Sequence, residues 1–266
     1  MVEKIFWYNK KIYDPEIIST RMKFVENNMN GLLPVSGKEK EKLENYAREH
    51  DLPNYEILCL RNIIKIQKEI NASKFFYSIS DKIRNRFSRE INEITDDNKL
   101  IFFLKSTKMP LSHLFRLLEP TDDFKKLTKN NLRMLDKLKN KIISNEREIR
   151  DRSIQFEHSL EKYLMTLNLN FRTENEIKAI GDYSVTPDVL FDKPVILEVN
   201  GIEYEIKWMD AKNYMLVNVP FIMKSLEKQS NKYYDIFGLG AFVFHYGFDK
   251  SVMVSNAIIL DGSFLE

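Results

Sequence analysis

The chain has 266 residues and a formal net charge of +2; 43% of its residues are hydrophobic and 30% are charged, with 8 Gly and 8 Pro. This composition is sufficient for a packed core in one large domain or two ordinary ones, and it excludes global disorder and a turn-rich all-β chain. The single cysteine, Cys59, excludes an internal disulfide and favours a reducing, intracellular compartment.

Two further features bear on membranes and partners. No signal peptide is visible at the start, and the longest uncharged run, residues 236–248, is too short to cross a bilayer as a helix, so no membrane segment is predicted. Residues 1–150 carry 30 Lys and Arg against 22 Asp and Glu, whereas residues 151–266 carry 11 against 17. A nucleic-acid-holding half and a metal-holding half would produce this asymmetry, and so would drift in surface composition.

The first part of the chain is predicted to be helical throughout. Apolar residues recur at helical spacing in residues 15–29 and 54–70, with a charged helix at 36–50 between them. Residues 96–120 predict two short helices with the dimensions of a helix-turn-helix or of an ordinary helical hairpin. The next helix, in residues 124–150, has 9 basic and 3 acidic residues, so it could lie along phosphates or form a solvated face.

The pattern changes near Asp151, and we place a boundary there between a helical domain of residues 1–148 and a mixed domain of residues 149–266. The mixed domain is predicted as a helix, three strands, a helix and two strands, in residues 152–169, 170–180, 186–199, 202–212, 219–238, 241–248 and 252–260. Asn200 and Gly201 both tolerate positive φ, so they predict a hairpin between the second and third strands.

Acidic residues stand at the ends of these two strands. Asp210 and Lys212 end the third strand and project from the same face, while Asp188 begins the second strand. If the strands pair with Asp188 beside Asp210, the two carboxylates repel each other unless a cation lies between them. A rival pair, Glu205 and Lys207, lies on the opposite face and in a stretch with a solvent-facing pattern, so we prefer Asp210.

A hard divalent ion such as Mg²⁺ accepts two carboxylates, a backbone carbonyl such as that of Ala211, and several waters. Such an ion makes hydroxide available near neutral pH and offsets charge on a phosphate, and a neighbouring lysine can orient the water. The spacing therefore predicts phosphodiester hydrolysis. Glu157, on the preceding helix, could add a third ligand directly or through water, and Glu161, one turn later, is the alternative.

Several short motifs occur in this half of the chain: Phe156-Glu157, Thr186-Pro187-Asp188, Trp208-Met209-Asp210-Ala211-Lys212, Gln229 with Tyr233, and residues 237–240. Together they resemble the PD-(D/E)xK nuclease superfamily over about residues 153–250. The likeness is strongest to the TPD-motif family, which includes the codanin-interacting nuclease of vertebrates, and more remote to archaeal Holliday-junction resolvases. It implies an α/β nuclease core, ordered helix-strand-strand-strand-helix-strand with a mixed sheet, preceded by an all-α helical domain.

The resemblance also implies roles for individual residues. Asp188 corresponds to the first metal-binding carboxylate, Asp210 to the second, and Lys212 to the catalytic lysine. Glu157 corresponds to the helix glutamate of resolvase-like members, which would complete a metal site of Asp188, Asp210 and Glu157. Gln229 corresponds to a glutamine that helps to orient the site.

The function that the resemblance implies is an intracellular enzyme, nuclear or cytoplasmic, that uses Mg²⁺ or Mn²⁺ to hydrolyse phosphodiester bonds in DNA, including branched or structured DNA. One alternative is a catalytically weak scaffold with a nuclease fold that binds a codanin-like protein partner, DNA or both. Another is a helical DNA-binding protein with an incidental α/β half. Resolvase relatives act as dimers, so a homodimer is left open, as is the choice between DNA and RNA.

Overall fold

The computed structural model describes residues 3–29 and 31–265. It is 57% helical and 17% strand, so the predicted combination of helices with a mixed α/β sheet is confirmed. The chain divides into two units. The sheet unit contains the described residues up to Thr20 and from Glu148 onward, and the helical unit is Arg21–Arg147.

The helices and strands follow one another in a defined order. The helices are α1 Pro15–Asn28, α2 Gly37–Glu49, α3 Asn54–Ser73, α4 Phe76–Glu90, α5 Asp97–Ser106, α6 Leu111–Leu118, α7 Lys129–Thr166, α8 Glu174–Ile180 and α9 Pro220–Phe237. The strands are β1 Lys4–Trp7, β2 Ile12–Tyr13, β3 Phe171–Thr173, β4 Val189–Val199, β5 Ile202–Lys212, β6 Gly240–Phe244, β7 Phe248–Asp249 and β8 Ala257–Asp261. Among the described residues, no helix combines the length and apolar character needed to cross a membrane.

The main sheet has the strand order β1-β4-β5-β6-β8, and β3 also pairs with β4. The β4–β5 and β3–β4 pairs are antiparallel, whereas β1–β4, β5–β6 and β6–β8 are parallel. Asn200 and Gly201 form the predicted hairpin turn between β4 and β5, with φ of 52° and 79°. The sheet thus places Asp210, near the end of β5, next to the start of β4 on one side and Phe242, in the middle of the parallel strand β6, on the other.

Helices α7 and α9 cover opposite faces of this sheet. Phe156 of α7 belongs to the same buried cluster as Met209 of β5. Tyr233 of α9 instead contacts Trp208 edge to face, with ring centroids 4.9 Å apart. Since successive strand residues alternate between faces, Asp210 lies on the α9 side.

The start of the chain differs from the predicted division, which placed residues 1–148 in the helical domain. Strand β1 pairs in parallel with β4 and buries Ile5 and Trp7 in the core of the sheet unit. The backbone N–H groups of Lys10 and Lys11 donate to Asp261 Oδ2 at 2.9 and 2.8 Å, and Trp7 Nε1 donates to the Asp261 carbonyl. In sequence, the helical unit is therefore an insertion between β1 and the remaining strands of the main sheet.

Residues 170–180, predicted as one strand, form the short strand β3 followed by helix α8. The reason is a capping box: Thr173 Oγ1 accepts from the Glu176 backbone N–H, and the Glu176 carboxylate accepts from the Thr173 N–H. Both donors would otherwise be unpaired at the helix start. The predicted helix in residues 219–238 is α9, which ends before Gly238 at a φ of 88°.

The burial of α6 does not support the helix-turn-helix hypothesis for residues 96–120. A recognition surface requires an exposed helix face that can enter a DNA groove. On α6, the helix in the recognition position, only Ser112 and Arg116 are exposed. The apolar residues of α6 are buried in the core of the helical unit: Leu111, Leu114, Phe115, Leu117 and Leu118. Helix α6 is thus a core helix, whereas α5 buries only Leu100, Phe103 and Leu104.

We predict that Gly240→Ala destabilises the sheet unit strongly. A Cβ atom at Gly240 would lie 2.1 Å from Cδ2 and Cε2 of Trp208, whose ring is held by a hydrogen bond from Nε1 to the Gly238 carbonyl. Overpacking of this kind costs roughly 1–3 kcal/mol or more. Urea unfolding measures the loss, with Gly37→Ala in open space at the start of α2 as the control. Equal stability of the two variants would contradict the packing argument.

Candidate functional site

The pairing of β4 with β5 brings the two predicted carboxylates together. Val189 is the register partner of Met209, so Asp188, one residue earlier, lies level with Asp210, one residue later. Asp188 Oδ2 accepts a hydrogen bond of 2.7 Å from the backbone N–H of Ala211. The predicted juxtaposition of Asp188 and Asp210 is therefore present in the structure.

This juxtaposition depends on an irregularity in β4 that the sequence analysis did not anticipate. Near the hairpin Val195 pairs with Ile206, and continuing that register would place Asn213, rather than Asp210, opposite Asp188. The register shifts between Leu190 and Val195, where β4 has three more residues than β5. Proline lacks an N–H to donate to the ladder and is found within sheets at edges and bulges, so Pro194 was the available sequence signal.

Asp210 is buried and surrounded by hydrogen-bond donors. Its Oδ1 forms an ion pair with Lys212 Nζ. Its Oδ2 accepts from Gln229 Nε2 at 3.0 Å and lies 3.1 Å from the Tyr233 hydroxyl. Gln229 and Tyr233 are one turn apart on α9, and Gln229 Nε2 also donates to the Tyr233 hydroxyl at 2.9 Å. The helix thus fixes the orientation of the Asp210 carboxylate.

The negative charge of Asp210 acts on its neighbours in the site. Burial and the charge of Asp210 raise the pKa of Asp188 to about 8, although the Ala211 N–H and Lys212 act in the opposite direction. Burial, followed by the charge of Asp210, also raises the pKa of Tyr233 far above its ordinary value. In the absence of a cation, the raised pKa of Asp188 favours its protonated form at neutral pH, and Tyr233 remains a neutral donor.

The Thr186-Pro187-Asp188 segment is held from three sides. Thr186 Oγ1 donates to Glu174 Oε1 at 3.2 Å, and its carbonyl oxygen lies 3.1 Å from the Tyr233 hydroxyl. The backbone N–H of Glu174 donates to the Asp188 carbonyl at 3.1 Å. Glu174 is a residue of the site that the sequence analysis missed. The Thr-x-x-Glu capping pattern that starts at Thr173 could have revealed the helix on which Glu174 lies.

Of the two candidate helix glutamates, Glu157 is the one associated with the site electrostatically. Burial raises the pKa of Glu157, and the charges of Glu174, Asp210 and Glu161 add to this effect. Glu161 instead accepts from His158 Nδ1 at 2.9 Å. No three His, Cys, Asp or Glu side chains within the described part of the chain form a cluster able to hold a metal ion. The predicted triad of Asp188, Asp210 and Glu157 is thus not an assembled set of three ligands.

The pair of aspartates nevertheless has the donor chemistry of a hard-cation site. Burial, and then the charge of the neighbouring Asp210 carboxylate, raise the pKa of Asp188 to about 8. A divalent cation would remove that repulsion, and carboxylate oxygens are the ligands that Mg²⁺ and Mn²⁺ prefer. Asp188 and Asp210 therefore fit such an ion.

We predict that the metal-free protein loses stability between about pH 4 and about pH 8 through Asp188. Its pKa rises from about 3.9 in the unfolded chain to about 8 in the folded protein. Between these values the folded state holds a proton that the unfolded state has released, so stability falls by up to about 1.4 kcal/mol per pH unit. Asp188→Asn removes this dependence, and urea unfolding in EDTA measures the difference from wild type.

The control for this measurement is Asp182→Asn, which changes an exposed carboxylate before the same strand. Its stability should follow that of the wild type at every pH. If Asp188→Asn and the wild type lose stability in parallel as the pH rises, the raised pKa of Asp188 is contradicted.

Fold and site define a protein with a helical unit inserted into an α/β unit, in which two carboxylates and a lysine meet at neighbouring strand ends. The chain belongs to the TPD sequence-motif family, whose model, described as a protein of unknown function, matches residues 125–263. It is similar to an uncharacterized protein of Acanthamoeba polyphaga mimivirus, with 38% identity over 264 residues, covering 98% of this chain and 96% of the relative. The comparison with solved structures finds no significant match.

Proposed function

We propose that this protein is a metal-dependent endonuclease that hydrolyses phosphodiester bonds in DNA and that its sheet unit is a PD-(D/E)xK core. The observation that carries the proposal is the meeting of Asp188, Asp210 and Lys212 at adjacent strand ends, with Asp188 level with Asp210. A carboxylate pair with a lysine two residues later can hold a divalent ion and place a cation beside a phosphate, which supports metal-assisted phosphate hydrolysis.

Asp188 and Asp210 would hold Mg²⁺ or Mn²⁺ through their carboxylate oxygens. A bound divalent ion supplies a lowered pKa for an attacking water and a positive charge next to the phosphate. Glu157 adds negative charge near the same site, because Asp210 contributes to the raised pKa of Glu157 and Glu157 contributes to that of Asp188. Its proposed role is to accept a hydrogen bond from a water of the site.

Lys212 is positioned to act on the reacting groups. Its ammonium pairs with Asp210 Oδ1 and lies 5.3 Å from the centroid of the Phe242 ring. An ammonium held in this way can orient the attacking water or stabilise the charge that develops on the phosphate oxygens. We assign Lys212 this catalytic role.

Gln229 and Tyr233 are positioning residues. The Tyr233 hydroxyl has one proton and two acceptors within reach, the Thr186 carbonyl and Asp210 Oδ2. Gln229 donates to Asp210 Oδ2 in either case. The two side chains therefore keep Asp210 in one orientation and connect it to the segment that precedes Asp188, which is the type of support that metal ligands receive from surrounding residues.

The test is a cleavage assay on the intact protein. Labelled four-way junctions, splayed duplexes, single strands, linear duplexes and the matching RNA strands are incubated with Mg²⁺ or Mn²⁺, with EDTA as the control. We expect metal-dependent cleavage that is strongest on branched or single-stranded DNA. No cleavage of any substrate with either metal would refute the proposal, and preferred cleavage of RNA would redirect it.

We also predict a metal-dependent rise in thermal stability. An ion that binds only the folded state stabilises it by about 2.7 kcal/mol at 100 times its Kd. Titration with Mn²⁺ should therefore raise the melting temperature of the wild type, and Asp188→Asn should respond much less. Asp182→Asn, at an exposed position, should respond like the wild type. A scaffold without a metal site would show no rise, so this measurement separates the two candidate functions.

A further inference from the structure

The helical unit is the basic part of the molecule. Arg21–Arg147 contains 26 Lys and Arg against 18 Asp and Glu, a balance of +8. Within it, four basic residues recur every fourth position along the first half of α7: Lys129, Arg133, Lys137 and Lys141. All four are exposed. We call this row the basic stripe.

The cations of the basic stripe form no ion pair within the described residues, although the exposed Asp136 lies between Arg133 and Lys137 in the sequence. Within the described residues, Lys129, Arg133 and Lys137 form no ion pair or side-chain hydrogen bond. Lys141 Nζ donates to the Val35 carbonyl, which has no formal charge. Some other exposed bases of the unit are paired; Lys125, for example, lies 2.7 Å from Asp122.

The arrangement is unfavourable for the isolated helix. Like charges four residues apart destabilise a helix, and the stripe contains three such pairs in succession. Lys129 is also the first residue of α7, and the first turn contains no acidic residue, although a helix N-terminus favours negative charge. An anionic partner along the stripe would offset both the repulsion between the like charges and the unfavourable positive charge at the helix N-terminus.

The dimensions of the stripe fit a polyanion with regularly spaced charges. The rise from Lys129 to Lys141 is about 18 Å, which equals the axial length of about five phosphates on one strand of a duplex. Asn130 and Asn140 are exposed near the stripe and supply amide donors. Helix α2 lacks this separation of charge, because its bases Lys38, Lys40 and Lys42 alternate with glutamates.

From these observations we infer that the basic stripe binds the phosphate backbone of nucleic acid independently of sequence. This inference deepens the proposed function, since it gives the nuclease a substrate-holding surface outside its catalytic site. The structural basis is the set of unpaired cations on one helix face, matched to phosphate by charge and spacing. Binding is measured without hydrolysis, so its outcome does not depend on cleavage.

The experiment measures the affinity of the intact protein for a fluorescein-labelled duplex, and for one of its strands alone, by anisotropy in EDTA. Each phosphate contact contributes about 0.9 to the slope of log affinity against log salt on a duplex and about 0.7 on a single strand. A variant that combines Lys129→Gln, Arg133→Gln and Lys137→Gln should show a slope smaller in magnitude by about 2.7 on the duplex and by about 2.1 on the single strand. On the duplex, the ratio of wild-type affinity to variant affinity should fall about 40-fold between about 50 and about 200 mM salt.

The control removes the same charge elsewhere in the unit. The control variant combines Lys38→Gln, Lys42→Gln and Arg48→Gln. These three exposed bases of α2 each adjoin a glutamate in the sequence, and their removal should leave the slope unchanged. The double variant Lys129→Arg with Lys137→Arg keeps both positive charges and should therefore keep the wild-type slope. Circular dichroism checks that each variant is folded. An unchanged slope in the stripe variant, or an equal fall in the α2 variant, overturns the inference. Stripe-dependent binding to phosphatidylserine vesicles without binding to DNA also overturns the inference. If the protein binds DNA through the stripe but does not cleave it, only the proposed function is contradicted.

Discussion

Asp210→Asn is expected to reduce DNA cleavage by at least about 1000-fold, the scale seen when a buried electrostatic group acts directly on the reacting centre. The substitution keeps the size of the side chain and an oxygen that can accept from Gln229. It removes the charge that would hold the metal ion and the partner of Lys212. Cleavage rates under saturating Mn²⁺, compared with unfolding curves for each variant, separate loss of catalysis from loss of folding.

The chain provides a matched control on the same strand. Glu205 and Lys207 repeat the acid-x-lysine spacing of Asp210 and Lys212, but Glu205 is exposed and an odd number of residues away from Asp210. Glu205→Gln should cleave like the wild type, and so should Lys207→Met, while Lys212→Met should lose most activity. An Asp210→Asn protein that retains cleavage within about tenfold of the wild type would mean that the catalytic site lies elsewhere.

The largest effect on stability is expected from Glu39→Ala in the helical unit. The Glu39 and Arg61 side chains are both 2% exposed, with Arg61 Nε 2.8 Å from Glu39 Oε1. Arg61 Nη2 also donates to the Leu33 carbonyl at 2.7 Å. Removing the carboxylate leaves a buried guanidinium without its counter-charge, which costs about 3–5 kcal/mol. Urea unfolding followed by circular dichroism measures the loss.

Two comparisons make this stability result specific. Glu44→Ala removes the partner of Lys40, an exposed pair 3.6 Å apart, and should cost at most about 1 kcal/mol. The double variant Glu39→Met with Arg61→Leu should recover most of the loss, because replacing both members by apolar groups removes the uncompensated charge. A Glu39→Ala protein as stable as Glu44→Ala would show that the buried pair contributes little.

Local chemistry explains which parts of the fold were predictable. The hairpin at Asn200 and Gly201 follows from residues that tolerate positive φ. Helix α9 follows from its apolar spacing and the glycine after it. Strand β1 was not predictable in the same way, because four residues give almost no pattern and its partner strand lies beyond the entire helical unit. Pairing between such distant segments is decided by tertiary packing.

The site was predictable in its residue types but not in its geometry. Asp210 and Lys212 share a face because strand residues two apart always do. The position of Asp188 depends on the register shift in β4, which neither the hairpin turn nor the alternation of side chains encodes. Gln229 and Tyr233 were expected from the resemblance, and the structure adds the physical reason, namely their hydrogen bonds to Asp210. Glu174 was hidden in a segment predicted as a strand.

The insertion of the helical unit after β1 has a consequence for how this protein emerges from the ribosome. Lys4 pairs with Ile196, and Lys10 and Lys11 donate to Asp261, so residues 4–11 cannot complete these contacts until Asp261 has been synthesised. The helical unit contains its own core and can fold while translation continues, as domains generally do. Until β4 is available, β1 lacks its partner strand, and Ile5 and Trp7, which are buried in the folded protein, remain exposed.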